Sequence, residues 1–150
     1  MNGYQQLNFP NYKFRLRKQI DEPQIFDPIR KKFVKLTPEE WVRQHCLHYL
    51  HQELGYPLAV ISIERQLKIN QTIKRYDIVV FNSDGKPDIA VECKAPDVKI
   101  NQDVFDQLAV YNRILNVRYL FITNGLEHFA FEVVQNGYHF LESLPKKNNF

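Results

Sequence analysis

Apolar and polar positions change period several times along this chain, and each change marks an element. In "NYKFRLRKQ", Tyr12, Phe14 and Leu16 alternate with Lys13, Arg15 and Arg17, the period of two expected of a half-buried strand. "DEPQ" then reads as a turn and "IRKKFVKL" as a second strand. The period lengthens in "TPEEWVRQHCLHYLHQELGYP", where Trp41, Cys46, Leu47, Leu50 and Leu54 form a wide helical face. Thr37 is a good N-cap, Pro38 suits the first turn, and Glu40 stands where it can close a capping box. Gly55 supplies the stop.

Three strand-like runs follow, "ISIERQLKI", "KRYDIVVF" and "DIAVECK", and then a second helix over about residues 101 to 115. "RYLFITN", "HFAFEVV" and "YHFLES" complete the strands, with turns at Asn124-Gly125 and Asn136-Gly137. A helix, a hairpin-rich sheet and a second helix predict an α/β (α+β) domain whose mixed central sheet is flanked by helices. With no repeat and no linker, residues 1–150 read as one domain. Within it, 1–35 form an N-terminal strand or β-hairpin extension and 36–145 the core.

Composition narrows the class. Hydrophobic content of 44% and charged content of 25% are ordinary globular values. Two cysteines, Cys46 and Cys93, are too few for a secreted scaffold and read as reduced core thiols. The first residues lack a signal layout, and no apolar run approaches the roughly 18 residues a membrane span needs. A soluble, cytoplasmic protein with no membrane partner is expected. The formal charge of +3 permits a nucleic-acid partner without demanding one.

The candidate chemistry lies in "KRYDIVVFNSDGKPDIAVECK". Asp84-Gly85 is a strong two-residue hairpin signal. If Ser83 pairs with Lys86 across it, Asp77 falls directly opposite Glu92; a four-residue loop keeps that register and a three-residue loop shifts it by one. Opposed side chains have Cβ atoms about 4.5–5.5 Å apart, where like charges destabilise a sheet unless something cationic lies between them. Lys94, about 7 Å along the same face, is one candidate cation. A divalent metal is the other, since carboxylate oxygens are the usual ligands of Mg²⁺. Asp88 shares the face but sits about 13 Å from Glu92, too far to share one ion with it.

An Asp, a hairpin and then Glu92-Cys93-Lys94 resembles the PD-(D/E)xK nuclease superfamily, with Tyr76-Asp77 in place of its "PD". Glu40 matches the acidic residue that many members carry on the first helix, and Gln107 to Tyr111 ("QLAVY") resembles the Q-x-x-x-Y motif of the RecB-like branch. Over about residues 26 to 142, "LTPEEWVRQ", "RYDIVVFNSDGKPDIAVECKAP", "FDQLAVYNRIL" and "RYLFITNG" together resemble the N-terminal nuclease domain of type I restriction enzyme R subunits, and its short stand-alone relatives. The resemblance implies a restriction-endonuclease-like fold and Mg²⁺-dependent hydrolysis of DNA, with Mn²⁺ able to substitute. It implies Asp77, Glu92 and the backbone carbonyl of Cys93 as metal ligands, with Glu40 possible. Lys94 orients or activates water, while Gln107, Tyr111, Lys74, Arg75 and Arg43 contact DNA or shape the site. No G-x-x-x-x-G-K-[ST] loop occurs in the chain, so no ATP site is expected. A separate helicase, translocase or methylase partner would have to supply such functions.

Plainer readings compete. Asp77, Glu92 and Lys94 can also be read as a sheet-surface ion cluster, and Gln107 and Tyr111 as ordinary helix positions, while the sequence supports Glu40 equally well as a capping-box residue. His45, His48 and His51 invite a zinc site, but no further Cys/His set accompanies them and they read as boundary histidines. At the level of function, the alternatives are a non-catalytic DNA-binding or assembly module of a restriction-like complex, or a protein-interaction module.

Overall fold

The computed structural model describes residues 4–18, 22–69 and 71–147. The side chains at 65, 67, 69, 72, 74, 111 and 114 fall outside that description, and with them the expectations for Lys74 and Tyr111. Two sheets and two helices carry the architecture. Strands β1 (Leu16–Lys18), β2 (Pro23–Asp27) and β3 (Lys32–Lys35) form a small antiparallel sheet. Strands β4 (Ile61–Ile69), β5 (Thr72–Phe81), β6 (Pro87–Cys93), β7 (Tyr119–Thr123), β8 (His128–Val134) and β9 (Gly137–Leu141) form the main sheet in sequence order. Within that sheet only β6 and β7 run parallel, joined by helix α2 (Gln102–Leu115); a parallel neighbour requires such a crossover.

Helix α1 (Pro38–His48) begins as its sequence dictates, with Thr37 Oγ1 accepting from the Glu40 N–H at 3.0 Å. A π-helical turn over Tyr49–Glu53 prolongs it, and Gly55 ends it at φ +84°. Its apolar stripe of Val42, Cys46, Leu47 and Leu50 packs on Ile78, Val80, Ile89, Val91 and Phe121. Helix α2 instead covers Val79, Ala90, Leu120 and Ile122 through Leu108. Alternation along the strands sends these two sets to opposite faces, so one helix lies on each side of the sheet. The expected mixed sheet flanked by helices is present.

The N-terminal region departs from expectation. "DEPQ" is not wholly a turn, because Pro23 and Gln24 open β2, with Gln24 between Arg17 and Lys35. Proline is tolerated as a strand's first residue, where its missing N–H costs no ladder bond. The first strand covers only Leu16–Lys18 of the described residues. Phe14 packs instead against Trp41, His45 and His48 of α1, so its burial comes from a helix rather than a sheet face. Arg15 and Arg17 remain exposed and lie over the rings of Phe26 and Phe33 at 4.4 and 4.0 Å.

The β5–β6 hairpin reaches the expected register by another route. Asn82 N–H donates to Lys86 O (2.8 Å), and Asn82 Oδ1 accepts from Asp84 N and Lys86 N. The loop is therefore the three residues between Asn82 and Lys86, with Gly85 at φ +75°. That alone would shift the register by one. An irregularity between Val80 and Phe81 restores it, because Phe81 pairs with Pro87 while Val80 pairs with Ile89. Asp88 is thus the extra residue of a bulge. Beyond it, Val79 faces Ala90 and Ile78 faces Val91, the register that points Asp77 towards Glu92.

Candidate active site

Pairing between β5 and β6 stops at Ile78 and Val91, one step short of the two acids. At the next position the Cys93 N–H donates to the side chain of Asp77, reaching Oδ2 at 2.8 Å. A carboxylate has replaced a backbone carbonyl in the ladder, so the strands have begun to part there. The β4 side is irregular at the same level. Ile63 pairs with Ile78 and Arg65 with Tyr76, but Glu64, opposite Asp77, holds φ at +52°. A non-glycine residue in the left-handed region stores strain that surrounding contacts must hold, and such residues cluster at functional sites.

Charged side chains fill the opening. Arg43 is 7% exposed; its Nη1 donates to Glu40 Oε1 at 2.7 Å and its Nη2 to Asp77 Oδ1 at 2.8 Å. Glu40 Oε1 also accepts from Arg30 Nη2 at 3.0 Å, and Arg30 Nε reaches Asp27 Oδ2 at 2.7 Å. Gln44 Nε2 donates to both Asp27 and Glu40. Glu64 closes the ring, 3.5 Å from Arg43 and from Arg30, and Glu39 lies 3.5 Å from Arg43 Nη2. At the end of β6, Lys94 Nζ stands 3.5 Å from Glu92 Oε1.

These charges act on one another. Burial alone would lower the Arg43 pKa, but Glu40 and Asp77 overcome it and hold the guanidinium well above its ordinary value. Burial and then the charge of Asp77 raise the Glu39 carboxyl, against a lowering by Arg43 and Lys94. Cys93 turns to the core, where a hydrogen bond with Cys46 and full burial push its thiol up and keep it neutral. Six carboxylates (Asp27, Glu39, Glu40, Glu64, Asp77, Glu92) meet three cations (Arg30, Arg43, Lys94). Fully ionised, the cluster carries a surplus of three negative charges.

Hard oxygen donors with surplus negative charge are the chemistry a divalent cation favours. Their arrangement is another matter. Asp77 gives one oxygen to Arg43 and the other to the Cys93 N–H. Among the described residues, no group of three or more His, Cys, Asp or Glu side chains is placed to hold a metal ion. His45, His48 and His51 each point Nδ1 at a backbone carbonyl, at 2.8, 2.8 and 2.7 Å, as structural histidines do.

Of the residues singled out from sequence, Glu40, Arg43 and Asp77 come together directly, and Glu92 and Lys94 form a pair beside them. Arg43 lies buried among the acids rather than on a surface open to DNA. Glu40 forms no reciprocal capping box; its carboxylate serves Arg30, Arg43 and Gln44. Gln107 is exposed on α2, and Arg75 is exposed on β5 opposite Gln66, beyond the last pair with β6. Sequence reasoning missed Glu39, Glu64, Gln44 and the role of Arg30. Glu39 and Arg43 are four apart on a helix, and Glu64 follows from the β4–β5 register, so both signals were available.

A mixed sheet with a helix on each face and acids gathered where its central hairpin parts is a restriction-endonuclease-like fold. The family described as the type I restriction enzyme R protein N terminus matches residues 38–145, and the chain belongs to it. Among solved structures, the chain is similar to a fragment assigned as an HsdR subunit of a type I restriction enzyme from Vibrio vulnificus YJ016. The TM-score is 0.54 at 22% identity, covering 74% of this chain but 24% of that one. It is also similar to a protein from Anabaena variabilis ATCC 29413 assigned as a nuclease of DUF820, with TM-score 0.44, 13% identity, and 85% and 80% coverage. No curated protein matches significantly.

Proposed function

We propose that this chain is a metal-dependent deoxyribonuclease module that hydrolyses phosphodiester bonds in DNA. The observation that carries the proposal is the parting of β5 from β6 at Asp77, with Glu92 and Lys94 at the facing end of β6. Family membership and the surplus of negative charge support it.

Asp77, Glu92 and the carbonyl of Cys93 are the residues that would hold Mg²⁺ or Mn²⁺, with Glu40 close behind. Such an ion supplies Lewis acidity at the phosphate and a lowered pKa for bound water. The protein's own contribution is positioning. The Cys93 N–H fixes the rotamer of Asp77, and Glu92 holds Lys94 at the rim, where its ammonium orients a water and offsets charge on the phosphate. DNA is held chiefly through phosphates. A motor or methylase would act from outside these 150 residues, which contain no phosphate-binding loop.

A second reading has its own observation. The Arg43 fork on Asp77 and Glu40 is what a non-catalytic assembly module would retain once a metal was no longer needed. Cleavage of linear, nicked, single-stranded and supercoiled DNA with Mg²⁺ and Mn²⁺ decides between them. Wild type is expected to cut, and Glu92→Gln and Lys94→Ala to fail. No cleavage by any of the three proteins would favour the second reading, and equal cleavage by all three would remove Glu92 and Lys94 from the proposed site.

A further inference from the structure

We propose that Arg43 is a resident counter-cation of the candidate active site, a placeholder that yields Asp77 when a divalent cation binds. The inference rests on the metal-binding reading above and deepens it.

Four observations lead there. First, Arg43 lies where an ion between the acids would compete with it: one 2.8 Å bond from Nη2 occupies Asp77 Oδ1. Second, giving up that bond would not strand either partner. Asp77 stays oriented through the Cys93 N–H on its other oxygen. Arg43 keeps Glu40 at 2.7 Å and has two acceptors waiting at 3.5 Å, Glu39 for Nη2 and Glu64 for Nη1. A buried guanidinium that lost its only carboxylate would block such a shift, because an uncompensated buried charge is costly. This one has three others.

Third, the present arrangement leaves Arg43 incompletely satisfied, since its Nε is buried without a hydrogen-bond partner. Buried donors are nearly always paired, so this fork does not sit in an optimum that a shift would spoil. Fourth, with the guanidinium turned to Glu39, Glu40 and Glu64, the cluster still carries surplus negative charge for an incoming cation. A merely structural clamp would explain the bond to Asp77 but not the spare acceptors around it.

The test reads metal binding rather than cleavage. Mn²⁺ affinity is measured by calorimetry and electron paramagnetic resonance for wild type, Arg43→Gln, Glu39→Gln, their double variant and Glu92→Gln. Removing the placeholder should tighten Mn²⁺ binding at least about tenfold, the scale of one charge-assisted hydrogen bond. Glu39→Gln, an exposed change, removes a waiting acceptor and should weaken binding several-fold, but only while Arg43 is present. A double-mutant cycle in which the Glu39 effect persists without Arg43 would mean simple electrostatics and overturn the placeholder. Unchanged or weaker binding by Arg43→Gln, with Glu92→Gln losing Mn²⁺, overturns it and leaves the metal reading standing. No binding by wild type and Arg43→Gln alike overturns both. Should Arg43→Gln unfold, Arg43→Lys decides: it keeps the charge but loses the fork, so tightening supports the placeholder and no change refutes it.

Discussion

One 2.8 Å charged hydrogen bond joins Arg43 of helix α1 to Asp77 of strand β5, at the level where β5 parts from β6. The bond therefore has two consequences, one for how the helix is anchored and one for what can bind between the strands. It also continues a chain of ion pairs from Asp77 through Arg43, Glu40 and Arg30 to Asp27. That chain ties the main sheet, α1 and the small sheet to one another.

Removing Asp77 should cost stability before it costs chemistry. In Asp77→Ala the buried Cys93 N–H loses its acceptor while Arg43 keeps Glu40, so a loss of about 1–3 kcal/mol is expected. Asp77→Asn keeps an acceptor for Cys93 and should lose less than Asp77→Ala. Urea denaturation of the three proteins measures both. An inactive Asp77→Ala that is also unfolded at assay temperature says nothing about a metal ligand, which makes Asp77→Asn the better probe.

Lys94 is expected to behave in the opposite way. Its side chain is a third exposed and its ammonium stands 3.5 Å from Glu92, a pair of the kind worth about 0–1 kcal/mol. Lys94→Ala should leave the melting temperature nearly unchanged while DNA cleavage falls at least about 100-fold. Thermal melts and cleavage rates on one preparation check the two halves. A variant that cuts as well as wild type would remove Lys94 from the proposed mechanism.

The contrast between Asp77 and Lys94 shows what the sequence made legible. Strand periodicity and the Asp84-Gly85 turn were enough to bring Asp77 towards Glu92, although the loop is one residue shorter than the four-residue alternative and a bulge at Asp88 restores the register. Two compensating one-residue shifts leave no trace in the apolar pattern. Helix α1 was equally readable, because its cap, its stripe and its glycine all agree. For Arg43 the sequence offered only a general role, contacting DNA or shaping the site; its fork on Glu40 and Asp77 depends on the tertiary approach of Asp77, 34 positions later. The small sheet was missed in part for a similar reason: Tyr12 and Phe14 alternate like strand residues but bury themselves against α1 histidines.

Those histidines give the fold a pH dependence. His45, His48 and His128 are all shifted below their ordinary pKa of 6.5, chiefly by burial. Each favours the neutral form when folded, and the unfolded chain takes up the proton first. The stability they contribute is thus fully present above about pH 6.5 and falls as pH drops below it towards the folded-state values. Phe9, Tyr12 and Phe14 pack on these rings, and Asn8 O takes His128 Nε2 at 2.6 Å. The N-terminal segment should loosen first. Hydrogen exchange at residues 8–14 is expected to accelerate between pH 7 and pH 5, and His48→Gln should flatten the pH dependence of melting. An unchanged melting temperature across that range would contradict the assignment.

The far end of the ion-pair chain offers a last test. Asp27 is fully buried; its Oδ1 accepts from the N–H groups of Ile29 and Arg30, and its Oδ2 from Arg30 Nε and Gln44 Nε2. The first pair shapes the turn between β2 and β3, and the second docks that turn on α1. Asp27→Asn should preserve the turn but weaken the docking, costing about 1–3 kcal/mol, whereas Asp27→Ala removes both and should cost about 3–5 kcal/mol. Because Arg30 also holds Glu40, the Asp27 and Glu40 substitutions should couple. A cycle of Asp27→Asn with Glu40→Gln, read by urea denaturation, is expected to depart from additivity by about 0.5–3 kcal/mol. Strict additivity would mean that the small sheet and the acid cluster are held independently, with Arg30 transmitting nothing between them.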